Sequence, residues 1–183
     1  MAKVSLGRAL RIIGGNILLA ILLAGVVNVL MYRRAIHRFD PMITRSAGRH
    51  GVDARLIWAV IWQESRFRPD AVGTKNEVGL MQVTETAGRE WARAAQKPTF
   101  RREDLFDPAT NIEAGTWYLA RAIRRWEHCD DPLPFALAEY NAGRSNVLRW
   151  YENSGPDGLR FQECIGYPTT RNYVKQILRK YRD

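Results

Sequence analysis

Residues 53–69 read DARLIWAVIWQESRFRP, and this stretch decides the fold class. Asp53 offers a side-chain oxygen to the first free N–H groups of a helix. Leu56, Ile57, Val60 and Ile61 then recur at the spacing of one apolar helical face, with no strand-like alternation. Pro69 and the polar residues after Phe67 place the end of the helix just past Glu64. Glu64 lies three residues beyond Ile61, so its carboxylate continues the apolar stripe instead of the polar face.

The same signals recur on the C-terminal side. Thr84 caps a helix through Trp91. Asp107, with Pro108 at the first helical position, opens the longest pattern, through Ile112, Trp117, Tyr118, Leu119, Ile123 and Trp126. Asp131 and Pro132 open another through Phe135, Leu137 and Ala138. A short helix from Ser145 carries Val147, Leu148 and Trp150, and a last one from Thr169 or Thr170 carries Tyr173, Val174, Ile177 and Leu178. Turn formers gather at 66–78 and 152–168, which reads as irregular loop. The pattern predicts a mainly α domain from about Asp40 to Asp183 without internal repeats.

The 183 residues are 46% apolar and 26% charged, enough apolar surface for one packed core, which excludes a disordered or low-complexity chain. Lys and Arg outnumber Asp and Glu by 28 to 19, for a formal net charge of +9. Lys3, Arg8 and Arg11 are the only charges up to Tyr32, so the remainder carries +6. Such a surface attracts an anionic polymer or membrane without choosing between them. Ile12 to Tyr32 is 21 residues without a charge, enough to cross a bilayer as a helix and longer than the apolar region of a cleavable signal peptide. The expected organisation is a short basic segment at 1–11, a single transmembrane anchor at 12–32 and a helical domain at 33–183. Arginines 33, 34, 38, 45 and 49 follow the span, so flanking charge does not set its orientation. Cys129 and Cys164 suit one disulfide in an oxidising compartment, or stand as two buried thiols.

The chemistry concentrates on Glu64. Desolvation by Trp58, Trp62 and the core, together with the negative end of its helix, disfavours the ionised carboxylate and keeps a proton on it near neutral pH. A protonated carboxylic acid in a cleft is what glycosidic bond cleavage needs, because the leaving oxygen must be protonated. The alternative is an acid at a frayed helix end beside Arg68. Three other segments stand out. Gly79-Leu80-Met81-Gln82 joins a glycine suited to close backbone approach or positive φ with an amide that both donates and accepts. Ala138-Glu139-Tyr140-Asn141-Ala142-Gly143 ends a helix at Gly143 with Tyr140 and Asn141 at its rim. Thr170-Arg171-Asn172-Tyr173-Val174 puts a phenol on the last helix. Alone, the first two read equally as a turn or a helix end, and Tyr173 as a half-buried core tyrosine.

In this order and spacing the four segments resemble the catalytic domain of the soluble lytic transglycosylases, relatives of goose-type lysozyme, over about Arg49 to Tyr181. The matching residues are Glu64-Ser65 with Phe67 and Pro69, GLMQ at 79–82, EYNAG at 139–143 and TRNYV at 170–174. The resemblance implies a mainly α, lysozyme-like fold with a glycan groove, no metal and no cofactor. It also implies a catalytic domain in the periplasm, tethered to the inner membrane by its N-terminal helix. The implied substrate is peptidoglycan, cleaved between N-acetylmuramic acid and N-acetylglucosamine with closure of a 1,6-anhydro ring. In that scheme Glu64 is the single acid and base. Ser65, Gln82 and Asn141 join the substrate-binding set, Met81 and Tyr140 line the groove, and Tyr173 orients Glu64.

The sequence also departs from the family. Gly73 stands where many relatives carry a serine that assists at the acetamido group, and Glu139 stands where alanine is common. Glu139 and Glu77 are extra acids that keep an inverting hydrolase, with two carboxylates and a water between them, in play. A non-catalytic wall-binding or scaffolding module is a further alternative. A nucleic-acid binder is disfavoured, because the arginines are scattered and the tryptophans fall at core spacing. Targeting is expected from the anchor or from cell-envelope partner proteins.

Overall fold

A computed structural model describes residues 6–183, with side chains at 15–17, 19–31 and 33–183. The chain divides into two units at Asp40/Pro41. The first contains α1 (Leu6–His37), an unbroken helix. A window within it reaches a mean hydropathy of 2.1 with none of it buried, and Ile17, Leu22, Val27 and Met31 are all exposed. The expected segment 1–11 lies partly outside the described residues.

The second unit is helical: α2 (Asp40–His50), α3 (Ala54–Ser65), α4 (Glu85–Ala94), a 3₁₀ turn (Arg102–Phe106), α5 (Pro108–Arg125), α6 (Pro132–Ala142), α7 (Arg144–Ser154), α8 (Gly158–Cys164) and α9 (Pro168–Arg182). The caps act where the sequence puts them. Asp53 accepts from the Arg55 amide, Thr84 from Ala87, Asp107 from Thr110 and Asp131 from Leu133. Helices α7 and α9 begin one or two residues earlier than the sequence pattern predicts, at Arg144 and Pro168. The expected loop at 152–168 instead contains the rest of α7 and all of α8, whose cap Asp157 accepts from the Leu159 and Arg160 amides. Helix α2 is likewise an addition to the sequence reading, although Asp40-Pro41 repeats the Asp-Pro start of α5 and α6.

Helix α6 is the hub. Phe135, Ala136, Leu137 and Ala138 are fully buried, because α5, α7, α8 and α9 surround it. Phe135 stacks on Trp126 at 5.3 Å between centroids and meets Phe161 at 4.0 Å. Burying such a side chain contributes about 1.5–3 kcal/mol. Helices α3 and α9 pack together, and Ile57, Ile61, Val174 and Ile177 on them are buried. The stretch 66–84 is irregular, pinned by isolated antiparallel bridges between Val72 and Val78 and between Val78 and Val83. Cys129 and Cys164 are free thiols, so the disulfide alternative does not hold here.

Candidate active site

Helix α3 ends at Ser65, one residue past Glu64. Arg66 takes the left-handed conformation (φ 53°) and its amide returns to the Trp62 carbonyl, while Phe67 is also at positive φ (61°). The Arg66 guanidinium lies 4.8 Å over the Trp62 ring, and Arg68 Nε donates to the Ser65 carbonyl at 3.2 Å, so both arginines have partners other than Glu64. Across from the helix end, Tyr173 on α9 donates its hydroxyl to Glu64 Oε1 at 2.6 Å. Tyr173 is 6% exposed and Glu64 only partly so. Burial pushes the Glu64 carboxyl up to about 7. The Tyr173 hydrogen bond pulls it down and the charge of Glu77 adds to the rise. The phenols of Tyr173 and Tyr140 are both pushed well up by burial and by Glu64, which makes them neutral donors.

Helical phase puts Glu64 with Ile57, Val60 and Ile61, and sends Trp58 and Trp62 to the opposite face. There the two indoles stack at 5.6 Å beneath the Lys180 ammonium. Helix α3 packs against α9, and the acid is desolvated at that packed helix end.

The GLMQ loop is held from behind. Ser65 Oγ donates to the Leu80 carbonyl at 2.8 Å and to the Ile61 carbonyl at 3.3 Å. Ser65 is 1% exposed, so it ties the loop to α3 and is not available to a ligand, contrary to its expected binding role. Met81 is fully buried beneath Thr116 and Tyr140, which corrects its expected place on the groove wall. An irregular loop has no periodicity to reveal which way a side chain turns. The Met81 carbonyl accepts from Tyr140 Oη at 2.8 Å, and Tyr140 meets Tyr118 edge-on at 6.0 Å. Gln82 is at φ 48°, with Nε2 donating to the carbonyls of Gly79 (2.9 Å) and Ala71 (3.2 Å), so the donor half of its amide is spent on the loop. Asn141, at the end of α6, is exposed, and its Oδ1 accepts from Thr170 at 2.8 Å.

One organising residue was absent from the sequence reading. Asn111 on α5 is fully buried and brackets the loop. Its Nδ2 donates to the carbonyls of Val78 and Leu105, both at 2.8 Å, and its Oδ1 accepts from the Met81 amide at 2.7 Å. Gly79 is required beside it: φ is +78°, and a Cβ there would collide with the Asn111 amide. The available signal was an amide next to Ile112 on the buried face of a long helix.

The two extra acids separate. Glu139 is 2% exposed and faces α5, where Arg125 Nη1 and Trp126 Nε1 (2.8 Å) donate to its two oxygens. It is therefore a structural ion pair and not a second acid of the groove. Glu77 stands on the 66–84 loop, and its charge acts on Glu64. Its carboxylate accepts from the Lys75 amide at 2.8 Å and lies over Gly73, where any Cβ would overlap it. A cavity of about 510 Å³ between Arg89, Arg93, Lys97 and Phe100 lies elsewhere and includes no acid in its lining.

The family model described as the transglycosylase SLT domain matches residues 41–158. The chain belongs to the transglycosylase SLT domain family. Membrane-bound lytic murein transglycosylase F of Desulfosudis oleivorans is 40% identical over 131 residues, covering 68% of this chain and 27% of that protein. Membrane-bound lytic murein transglycosylase C of Shigella sonnei is 38% identical over 123 residues, covering 64% and 34%. The crystal structure of the 70-kDa soluble lytic transglycosylase of Escherichia coli superposes with a TM-score of 0.71 at 27% identity, over 78% of this chain and 23% of that one. The fold is thus the lysozyme-like fold of the SLT family. The chain spans roughly a quarter to a third of the curated relatives it matches. Helix α9, with Thr170 and Tyr173, lies beyond the residues matched by the family model.

Proposed function

We propose that this chain is a peptidoglycan lytic transglycosylase that cleaves the β-1,4 bond between N-acetylmuramic acid and N-acetylglucosamine and leaves 1,6-anhydro ends. The observation that carries the reading is the Tyr173 hydroxyl donating to Glu64 at 2.6 Å, on a carboxyl that burial pushes up to about 7. Protonated Glu64 donates to the glycosidic oxygen as the bond to the anomeric carbon breaks, and becomes a carboxylate. The substrate's 2-acetamido group stabilises the developing cation. The carboxylate then takes the proton of the muramic acid 6-hydroxyl as that oxygen attacks the same carbon, which restores the acid. No water is consumed. Tyr173 keeps one carboxyl oxygen occupied so that the other faces the sugar. The carbonyl of Gln82 and the amide nitrogen of Asn141, without partners among the described residues, bind polar groups of the glycan, with Tyr140 on the groove wall.

In the same proposal α1 anchors the chain, with the span at 12–32 and the enzymatic domain at 33–183. The amino terminus lies in the cytoplasm and Asp183 outside the inner membrane. The apolar, unburied surface of α1 and the membrane-bound relatives support the anchor, and the cell-wall substrate supports the orientation. A reporter fused after Asp183 should be active only in the periplasm, and activity confined to the cytoplasm would reject the orientation.

A hydrolytic muramidase is the second reading, favoured by Glu77, whose charge acts on Glu64 and which could hold a water as second carboxylate. Mass spectrometry of purified sacculi after digestion separates the two. Anhydro-ended muropeptides are expected, whereas reducing ends, one water heavier, identify the hydrolase. Intact sacculi reject both.

A further inference from the structure

Three cavities of the domain at 41–183 meet around Lys97. The first, of about 510 Å³, lies between Arg89, Arg93 and Phe100, and the second, of about 320 Å³, between Arg45, Arg49 and Glu113. Asp104 and Asp107 border the third. The acids among them are engaged. Glu113 Oε1 accepts from Arg49 at 2.7 Å and lies 2.9 Å from His50 Nε2, while Asp104 accepts from the Arg101 amide and Asp107 from the Thr110 amide. Arg89 pairs with Glu85 on its own helix. Arg45, Arg93 and Lys97 are exposed and have no carboxylate partner among the described residues. The Lys97 ammonium instead lies 5.3 Å over the Trp91 ring. Like charges gathered on one face repel one another, so this face is complementary to an anionic partner. It is separate from the Glu64 site, because none of the residues assigned to the glycan lines these cavities.

The place of these cations in the chain identifies the anion. Met42, on the wall of the second cavity, follows Tyr32, the end of the expected span, by ten residues. Ten residues reach at most about 36 Å even when fully extended. Arg33, Arg34 and Arg38 lie between them. In the orientation proposed above, all of these arginines stand on the translocated side, where positive charge beside a span works against the usual retention of Lys and Arg in the cytoplasm. An anionic surface on that side gives them a partner, and phospholipid is the one that so short a tether keeps within reach at all times. We propose that the α2–α4 face around Lys97 docks on anionic phospholipid headgroups of the membrane that holds α1, with lipid phosphates at Arg45, Arg93 and Lys97. The inference rests on α1 as a membrane anchor and goes beyond the proposed reaction, which it leaves unaltered.

The test reconstitutes the full-length protein in vesicles of phosphatidylcholine alone and in vesicles with about one third phosphatidylglycerol. A membrane-impermeant amine reagent reads the outward-facing domains, and mass spectrometry follows Lys97, with Lys180 above the α3 indoles as the internal control. Lys97 should react about 5- to 10-fold more slowly in the anionic vesicles and recover in about 0.5 M NaCl, while Lys180 changes less than about twofold. The double variant Arg45→Gln with Arg93→Gln should lose most of the difference, since each charge near the surface is worth roughly fivefold. Equal reactivity of Lys97 in the two vesicles overturns the inference. So does protection that is absent from the anionic vesicles and appears only when soluble glycan fragments or acidic envelope proteins are added, which assigns the face to those partners. If the double variant does not fold, the salt dependence of the wild type decides, and protection that persists at high salt overturns the inference. A chain that alkaline carbonate strips from both vesicles overturns the anchor and this inference with it, and leaves the proposed reaction, read by sacculus digestion, standing.

Discussion

Tyr173 and Glu64 are 109 residues apart in the chain and 2.6 Å apart in the folded protein. The phenol comes from the middle of the last helix and the carboxyl from the end of α3, and the packing of those two helices brings them together. Burial alone would produce an acid protonated at neutral pH. The hydrogen bond moderates that rise and orients the group, so the two helices determine both its proton affinity and its direction.

Replacing the phenol tests that balance. In Tyr173→Phe the acid loses the interaction that lowers its pKa, so the alkaline limb of kcat/KM should move up by roughly half to one pH unit. The rate at the optimum should fall about tenfold or more as the carboxyl loses its orientation. A pH–rate profile on sacculi checks both.

Glu77 predicts the opposite displacement. Its charge raises Glu64, so Glu77→Gln should move the same limb toward lower pH while anhydro products continue to form. If Glu77 instead activates water, the substitution should abolish cleavage, and product mass spectra distinguish the cases.

Stability should carry the same signature. An acid whose folded value is about 7 against 4.5 unfolded holds its proton better when folded. Its contribution is full below about pH 4.5 and is lost as pH rises to 7. Glu64→Gln has no such loss, keeps an oxygen for the Tyr173 hydroxyl, and should gain about 2–3 kcal/mol over the wild type at pH 8 relative to pH 4. Urea unfolding at the two pH values measures this difference. The same variant should lose activity by about 10²- to 10⁴-fold, the usual range for an acid–base group.

Much of this was legible in the sequence because its signals are local. Asp53, Thr84, Asp107 and Asp131 cap the helices they announce, and the Ile57-Val60-Ile61 stripe marked Glu64 as an acid on a buried face. Helix α8 was hidden because Gly155, Pro156, Asp157 and Gly158 read as turn, although the aspartate among them is its cap. Ser65 and Met81 were misassigned for a different reason. Their orientation is decided by partners distant in sequence, Leu80 in one case and Thr116 with Tyr140 in the other, and local spacing carries no record of those.

Asn111 shows what such long-range brackets contribute. Three buried hydrogen bonds end on its amide, and Asn111→Ala leaves the Met81 amide and the Val78 and Leu105 carbonyls without that partner. The expected cost is about 3 kcal/mol or more, read as a lowered urea midpoint, with activity falling further than stability as the GLMQ loop loosens.

The central claim is a carboxylic acid that keeps its proton at neutral pH beside Tyr173. Carbon-13 NMR of the Glu64 carboxyl, assigned by its loss in Glu64→Gln and followed from pH 4 to 9, reads that proton directly. A midpoint near 7 is the predicted result. A midpoint near 4.5, the value of a solvated glutamate, would contradict the account.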